Sequence, residues 1–192
     1  INQFGADALR LYEMSMGPLE NEKPWQTERI VGVVRFRDRV LRICQQSSQD
    51  AEFPSETEKL MHKTIKAVTE QTEKMMFNTA ITAMIVFSNS LEKLSKKQGA
   101  APQEAAEALV LLLQPYAPHL AEQCWQRLLH KEGSAALAPW PPFREELCVD
   151  DEVQIPVQVN GRAVKVVVCM PKDASADQVQ AAALEQEWVQ RA

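Results

Sequence analysis

The chain is 192 residues long, 45% hydrophobic and 24% charged, with a formal net charge of −5. That length suits one good-sized domain, or one domain with a small appendage. No apolar run approaches the ~20 residues of a membrane span. Ile1-Asn2-Gln3-Phe4-Gly5 has neither the basic start nor the apolar core of a signal peptide. Without an initiator Met the chain reads as a piece of something longer. The four cysteines and three histidines are scattered and form no Cys-x-x-Cys pair. No metal-ligand spacing results, and reduced thiols in an intracellular compartment are expected. Charge is uneven. Residues 28–100 carry twelve Lys+Arg against nine Asp+Glu, a net of +3, and residues 101–192 carry seven against thirteen, a net of −6. For a nucleic-acid partner a local basic surface counts for more than the sum.

Residues 4–16 predict a short amphipathic helix with Asp7 in its first turn, stopped by Gly17-Pro18. A polar loop with Pro24 and Trp25 leads to a second helix over 28–45, whose Ile30, Val34, Val40, Leu41 and Cys44 offer a core face. Opposite them Arg35, Arg39 and Arg42 recur at i, i+4 and i+7, with only Asp38 close enough in sequence to neutralise them. Such a stripe is either a solvated face or a phosphate-binding ridge, since arginine forks suit phosphate oxygens.

Ser55 and Glu58 form a capping-box pattern that starts a third helix running to about Phe77. Its Met61, Ile65, Val68, Thr72 and Met75 are expected inside. Lys59, Lys63 and Lys66 repeat the i, i+4, i+7 stripe, and a second basic row leaves the two readings about level. Asn78 is the expected cap of a fourth helix, 79–97, with a core of Ile81, Met84, Phe87, Leu91 and neighbours. Met75 and Met76 read as part of that core, where methionine fills irregular gaps.

Pro102 opens a fifth helix that ends at Pro115, which has no amide hydrogen to continue it. Pro118 sits in the first turn of a sixth, 118–130, whose apolar stripe is Leu120, Cys124 and Leu128 beside Trp125. His119 has no sequence-placed catalytic partner and is expected to make a structural hydrogen bond at this corner. Residues 133–151, with Pro139-Trp140-Pro141-Pro142 and acidic neighbours, read as a tether between domains. Beyond it the period changes to two. Val153, Ile155, Val157 and Val159 alternate up to an Asn160-Gly161 hairpin turn, which pairs Val157 with Val164, Ile155 with Val166 and Val153 with Val168. Pro156 predicts an unpaired strand side. Ser175 is the expected cap of a last helix with Val179, Ala182, Ala183 and Trp188 over the sheet. The fold class is therefore mainly α, an antiparallel helical bundle followed by a small α+β appendage of one hairpin and one helix.

Several motifs carry a family resemblance. Phe4-Gly5-Ala6-Asp7-Ala8-Leu9-Arg10-Leu11-Tyr12 with Met16-Gly17-Pro18 resembles the segment after the signature lysine loop of leucyl-tRNA synthetases. Val34-Arg35-Phe36, Arg39-Val40, His62-Lys63-Thr64-Ile65 and Phe77-Asn78-Thr79-Ala80-Ile81 resemble successive helices of their anticodon-binding-type bundle. Pro115-Tyr116-Ala117-Pro118-His119-Leu120-Ala121-Glu122 with Trp125 is similar to isoleucyl, valyl and methionyl enzymes too. Ala138-Pro139-Trp140-Pro141 and Val157-Gln158-Val159-Asn160-Gly161 return the likeness to the leucyl family of bacterial or organellar type. The resemblance divides the chain into a stem-contact-type segment (1–27), a tRNA-binding bundle (28–132), the linker (133–151) and a C-terminal domain (152–192) that looks truncated.

The resemblance implies a leucine–tRNA ligase that spends ATP, with Mg, to esterify leucine to its tRNA. Neither a His-Ile-Gly-His-like nor a Lys-Met-Ser-Lys-Ser-like signature occurs here, so the chain alone is expected to be inert, with no catalytic residue, metal or cofactor of its own. Its implied partners are tRNA-Leu and the catalytic domain of the same parent chain, with no membrane and a monomeric state. The implied compartment is the cytoplasm of a bacterium or, alternatively, a mitochondrion or chloroplast. Arg35, Arg39, Arg42, Lys59, Lys63 and Lys66 become candidate tRNA contacts. Arg162 and Lys165 are added as a weakened form of the family's basic stretch after Gly161. The rival is a free-standing fragment serving as a structural or RNA-scaffold protein.

Overall fold

A computed structural model describes residues 3–149, 152–159, 162–171, 174 and 176–184. The chain divides into two compact units, Ile1–Cys148 and Val149–Ala192.

The first unit is a helical bundle built around α5 (Gln103–Leu113). Ala105, Ala106, Ala108, Leu109, Val110, Leu112 and Leu113 of that helix are all buried. A helix apolar nearly all round is a central one, and α2 (Ile30–Gln45), α3 (Ser55–Glu73) and α4 (Phe77–Gln98) all pack against it. Three residues join α3 to α4, which makes them an antiparallel hairpin. Arg39 reaches Ser88, Arg42 reaches Glu92, and Ser95 donates to Gln46. These partners advance together along both helices, so α2 and α4 run parallel, as alternate members of an up-and-down bundle do. The two-residue strands β1 (Ser47–Ser48) and β2 (Ala101–Pro102) follow α2 and α4 and pair in parallel. Phe36, Ile43, Ile65, Ile81, Phe87, Leu91 and Tyr116 fill the core. Cys44 and Cys124 are free thiols within it. Cys124 hydrogen-bonds to Cys44, and with burial it drives the Cys44 thiol far above its ordinary range.

α1 (Ala6–Ser15) docks on α2 and α4 and clamps the proline corner. After Pro115 the chain turns and α6 (Pro118–Glu122) begins with its N–H groups unpaired by any local cap. The buried carboxylate of Asp7 supplies the cap from another helix, accepting from the Leu120 N–H at 2.6 Å and meeting His119 Nδ1 at 2.8 Å. One turn on, Arg10 donates to the carbonyls of Tyr116 at 3.1 Å and Pro115 at 2.9 Å. His119 is thus held by a structural hydrogen bond. α6 continues as a wider π-type turn over Gln123–Leu128, with Leu129 N–H bonding back five residues to Cys124. The extra residue re-aims the stripe: Leu129 is buried, and Leu128, the expected core residue, is only partly so.

Other expectations are corrected in the same way. α2 buries Val33, Phe36 and Ile43 with Ile30, Val40 and Cys44, leaving Val34 and Leu41 half-buried, because α1, α4 and α5 surround it on more than one side. The Ser55–Glu58 box does not form. Pro54 is the N-cap, its carbonyl takes the N–H groups of Thr57 and Glu58, and Glu58 turns to Arg144. Asn78 lies inside α4, whose N-cap is Met76. Met75 and Met76 are exposed in the connection, and Met75 holds φ 57°. α4 ends on Gly99 at φ 91°, where lack of a Cβ permits the left-handed turn that bonds back to Ser95.

Residues 133–148 belong to the bundle rather than forming a tether. Trp140 Nε1 donates to Thr69 Oγ1 at 2.8 Å, Pro141 is buried, Phe143 is half-buried, and α7 (Glu145–Cys148) packs on α3.

In the second unit β3 (Glu152–Val159) and β4 (Arg162–Pro171) form an antiparallel hairpin followed by α8 (Ala176–Leu184). Next to the turn Val159 pairs with Arg162 and Gln158 with Ala163, the expected register. An irregularity between Pro156 and Gln158 then shifts it by two, so Ile155 faces Val168 and Val153 faces Met170. Proline donates nothing to a ladder, and a bulge there is the usual accommodation. The Asn160-Gly161 turn, the Ser175 cap and Trp188 lie outside the described residues.

Candidate nucleic-acid interface

The arginines of α2 do not stand free along its length. Arg42 Nη2 lies 2.9 Å from Glu92 Oε1, while Arg39 Nε and Lys96 Nζ each lie 3.5 Å from Glu92 Oε2. Arg39 also donates Nη1 to Ser88 Oγ at 3.4 Å. Asp38, the expected neutralising group, pairs instead with Arg37 at 2.8 Å. Glu92 is the residue that sequence reading missed. Its i, i+4 spacing to Lys96 was visible, but the parallel docking of α2 on α4 that brings Arg39 and Arg42 to it was not. The hydrogen bond from Arg42, helped by Lys96 and Arg39, holds the Glu92 carboxyl below its ordinary range. Three cations on one carboxylate still leave this face positive. Arg35, one turn earlier on α2, is exposed and carries its full charge to solvent.

Lys59, Lys63 and Lys66 sit half-buried on α3. Lys66 Nζ bonds Glu145 Oε2 at 2.6 Å and lies 5.8 Å from the Phe143 ring centroid. Lys59 and Lys63 also have partners. The two rows therefore meet different neighbours: that of α2 turns to α4, and Lys66 turns to α7. They do not make one shared ridge. The positive face lies between α2 and α4. Arg162 and Lys165 fall on β4, with side chains outside the described ones.

A separate cavity lies between α3, α5 and residues 139–144. Of about 830 Å³, it is lined by Met61, Ile65, Leu111 and Phe143 together with Glu58, Glu104, Glu107 and Arg144, Glu58 pairing with Arg144 and Glu107 with Lys131. Three cations gathered on the single carboxylate of Glu92 make the α2–α4 face the bundle's leading nucleic-acid candidate.

The described residues thus form an up-and-down helical bundle with a basic helix pair, followed in sequence by a small α+β unit. The family described as the anticodon-binding domain of tRNA ligase matches residues 56–180, and the chain belongs to that family. Its relatives among curated proteins are leucine–tRNA ligases. The enzyme of Sorangium cellulosum (strain So ce56) is 50% identical over 189 residues, covering 98% of this chain and 21% of the relative. That of Rhodopirellula baltica is 40% identical over 202 residues, covering 100% and 21%. The chain thus spans about a fifth of the length of the curated relatives it matches. Among solved structures it is similar, at TM-score 0.73 and 26% identity over 98% of this chain and 26% of the other, to the agnB2 LeuRS of Agrobacterium radiobacter K84, crystallised as a ternary complex with tRNA and LeuAMS. The motif resemblance to leucyl-tRNA synthetases and these relatives agree.

Proposed function

We propose that the chain is the tRNA-holding C-terminal part of a leucine–tRNA ligase, binding tRNA-Leu through the bundle while the chemistry belongs to a catalytic domain elsewhere in the same parent polypeptide. The observation that carries this reading is the likeness, over 98% of the chain, to a synthetase crystallised with its tRNA. The basic α2–α4 face supports it physically. A bundle surface with excess cations attracts the RNA backbone, and contacts to phosphate position an RNA rather than read its sequence. Arg35 and Arg42 are the accessible members of the α2 row. Lys59, Lys63 and Lys66 of α3, with Arg162 and Lys165 of β4, extend the proposal along the chain.

Neither adenylate-forming signature lies in this sequence, so ATP and Mg would be handled by other segments of the parent enzyme. The test has two arms. The isolated chain should retain a tRNA-Leu transcript in a filter-binding assay with a salt-dependent affinity, and should show no leucine-dependent ATP–pyrophosphate exchange. Absence of tRNA binding at low salt would sink the holding role, and measurable exchange would sink the non-catalytic one.

A further inference from the structure

The arrangement around Glu92 is more specific than a surface ion pair. Its two oxygens face three cationic groups, yet only Arg42 is at full hydrogen-bonding distance, 2.9 Å, while Arg39 Nε and Lys96 Nζ stand off at 3.5 Å. Arg39 Nε is buried and, among the described residues, has no hydrogen-bond acceptor. A buried charged N–H held only by a 3.5 Å ion pair, short of a hydrogen bond, keeps unused donor capacity, so the site can take more acceptor oxygens than one carboxylate brings within hydrogen-bonding distance. Arg42 is about half exposed and Lys96 is 72% exposed, so both can swing to a ligand, whereas Arg39, at 19%, is fixed beneath them. Guanidinium forks and an ammonium around one point suit the several oxygens of a phosphate.

We infer that the α2–α4 face around Glu92 is a phosphate-binding site in which Glu92 is a resident competitor, occupying the cations until a phosphodiester of the RNA backbone displaces it. For the carrier of the phosphate this rests on the tRNA-holding reading above; for the phosphate site itself it stands on the geometry alone. Glu92 then has two roles. It holds Arg39 and Arg42 in place before RNA arrives, and it subtracts one charge from the face. A stray polyanion is discouraged, and a phosphate presented in register by a folded RNA wins.

The test uses the whole chain and two probes, sodium tripolyphosphate by calorimetry and a fluorescent tRNA transcript by anisotropy across a salt series. Glu92→Gln keeps the shape and removes the competing charge. It should bind tripolyphosphate about fivefold more tightly, as expected for losing one partly screened like-charge repulsion. It should also steepen the log–log salt slope for tRNA by roughly 0.7–0.9, one phosphate contact. Lys96→Ala, on an exposed side chain, should weaken tripolyphosphate binding about twofold or more. Unchanged affinity and slope in a folded Glu92→Gln protein would overturn the site, and should that variant not fold, unchanged tripolyphosphate affinity in Lys96→Ala would do so. A chain that binds tripolyphosphate in the Glu92-sensitive way but ignores tRNA keeps the phosphate site and removes the tRNA-holding reading.

Discussion

Asp7 does for α6 what a neighbouring serine or asparagine does for most helices. It accepts the Leu120 N–H and engages His119, although more than a hundred residues separate it from both. Hydrogen bonds to a charged group contribute roughly 1.5–3 kcal/mol, so Asp7→Ala should lower stability by about 2–3 kcal/mol. Urea denaturation at constant m-value is the check, and a loss near zero would mean that the corner is held by Arg10 and packing alone. Met75 presents the reverse case. It occupies a left-handed position, φ 57°, while 59% exposed, so it carries backbone strain and buries little. A non-glycine residue in that region costs roughly 1–2 kcal/mol, and glycine gives back about 0.5–1 kcal/mol through its looser unfolded chain. Met75→Gly should therefore stabilise by about 0.5–1 kcal/mol, read as a raised denaturant midpoint; a lowered one would show that the Met75 side chain matters more than its backbone.

Residues 139–144 and α7 form a strap on α3, and one of its latches is an imidazole. His62 is buried, with Nδ1 3.3 Å from the Arg144 backbone N–H and Nε2 within 3.2–3.3 Å of the Arg144 guanidinium, which also pairs with Glu58. A neutral ring has a single lone pair to offer, and a protonated one has none. Burial, and then the nearby Arg144, push the His62 pKa below its ordinary 6.5 against the opposing pull of Glu58, Glu104 and Glu146. The sign follows from linkage. The unfolded chain takes up the proton first, so the latch contributes fully above about pH 6.5 and is lost as pH falls through the lower folded value. Thermal melts should show stability declining from pH 7.5 to 5, and His62→Gln should flatten that decline. Equal slopes in the two proteins would detach the strap from His62. None of this latch was legible in sequence. Helical periodicity placed the elements of the bundle because burial acts on every turn. The Ser55–Glu58 box was legible and did not form, since Arg144, 86 residues from Glu58, outcompetes a local cap. The α2 row of arginines was equally plain. Its carboxylate partner was not, because Glu92 reaches it only through the pairing of two helices separated in the chain by α3.

At the scale of the whole molecule, the sequence marks a boundary by composition and the structure by contacts, and the two fall in different places. Proline, glycine and acidic residues over 133–151 have the look of a tether, whereas the contacts close the first unit at Cys148. Composition misleads here because prolines also make stiff apolar straps, and Pro141, Phe143 and Trp140 bury area against α3 and α5. The first unit has its own core and holds α1 to α7 of the described helices. A chain ending at Cys148 should therefore melt cooperatively, with a Tm within a few degrees of the full chain. A chain ending at residue 132 forfeits the Trp140–Thr69 and Lys66–Glu145 bonds, the Arg144 latch and the apolar burial beneath them. Burying one or two such side chains is worth roughly 3 kcal/mol. At about 2–4 °C per kcal/mol for a unit of this size, its Tm should fall by roughly 6–12 °C. Calorimetry on the two truncated chains decides the matter: equal melting of the shorter chain and the full one would return residues 133–148 to the status of a tether.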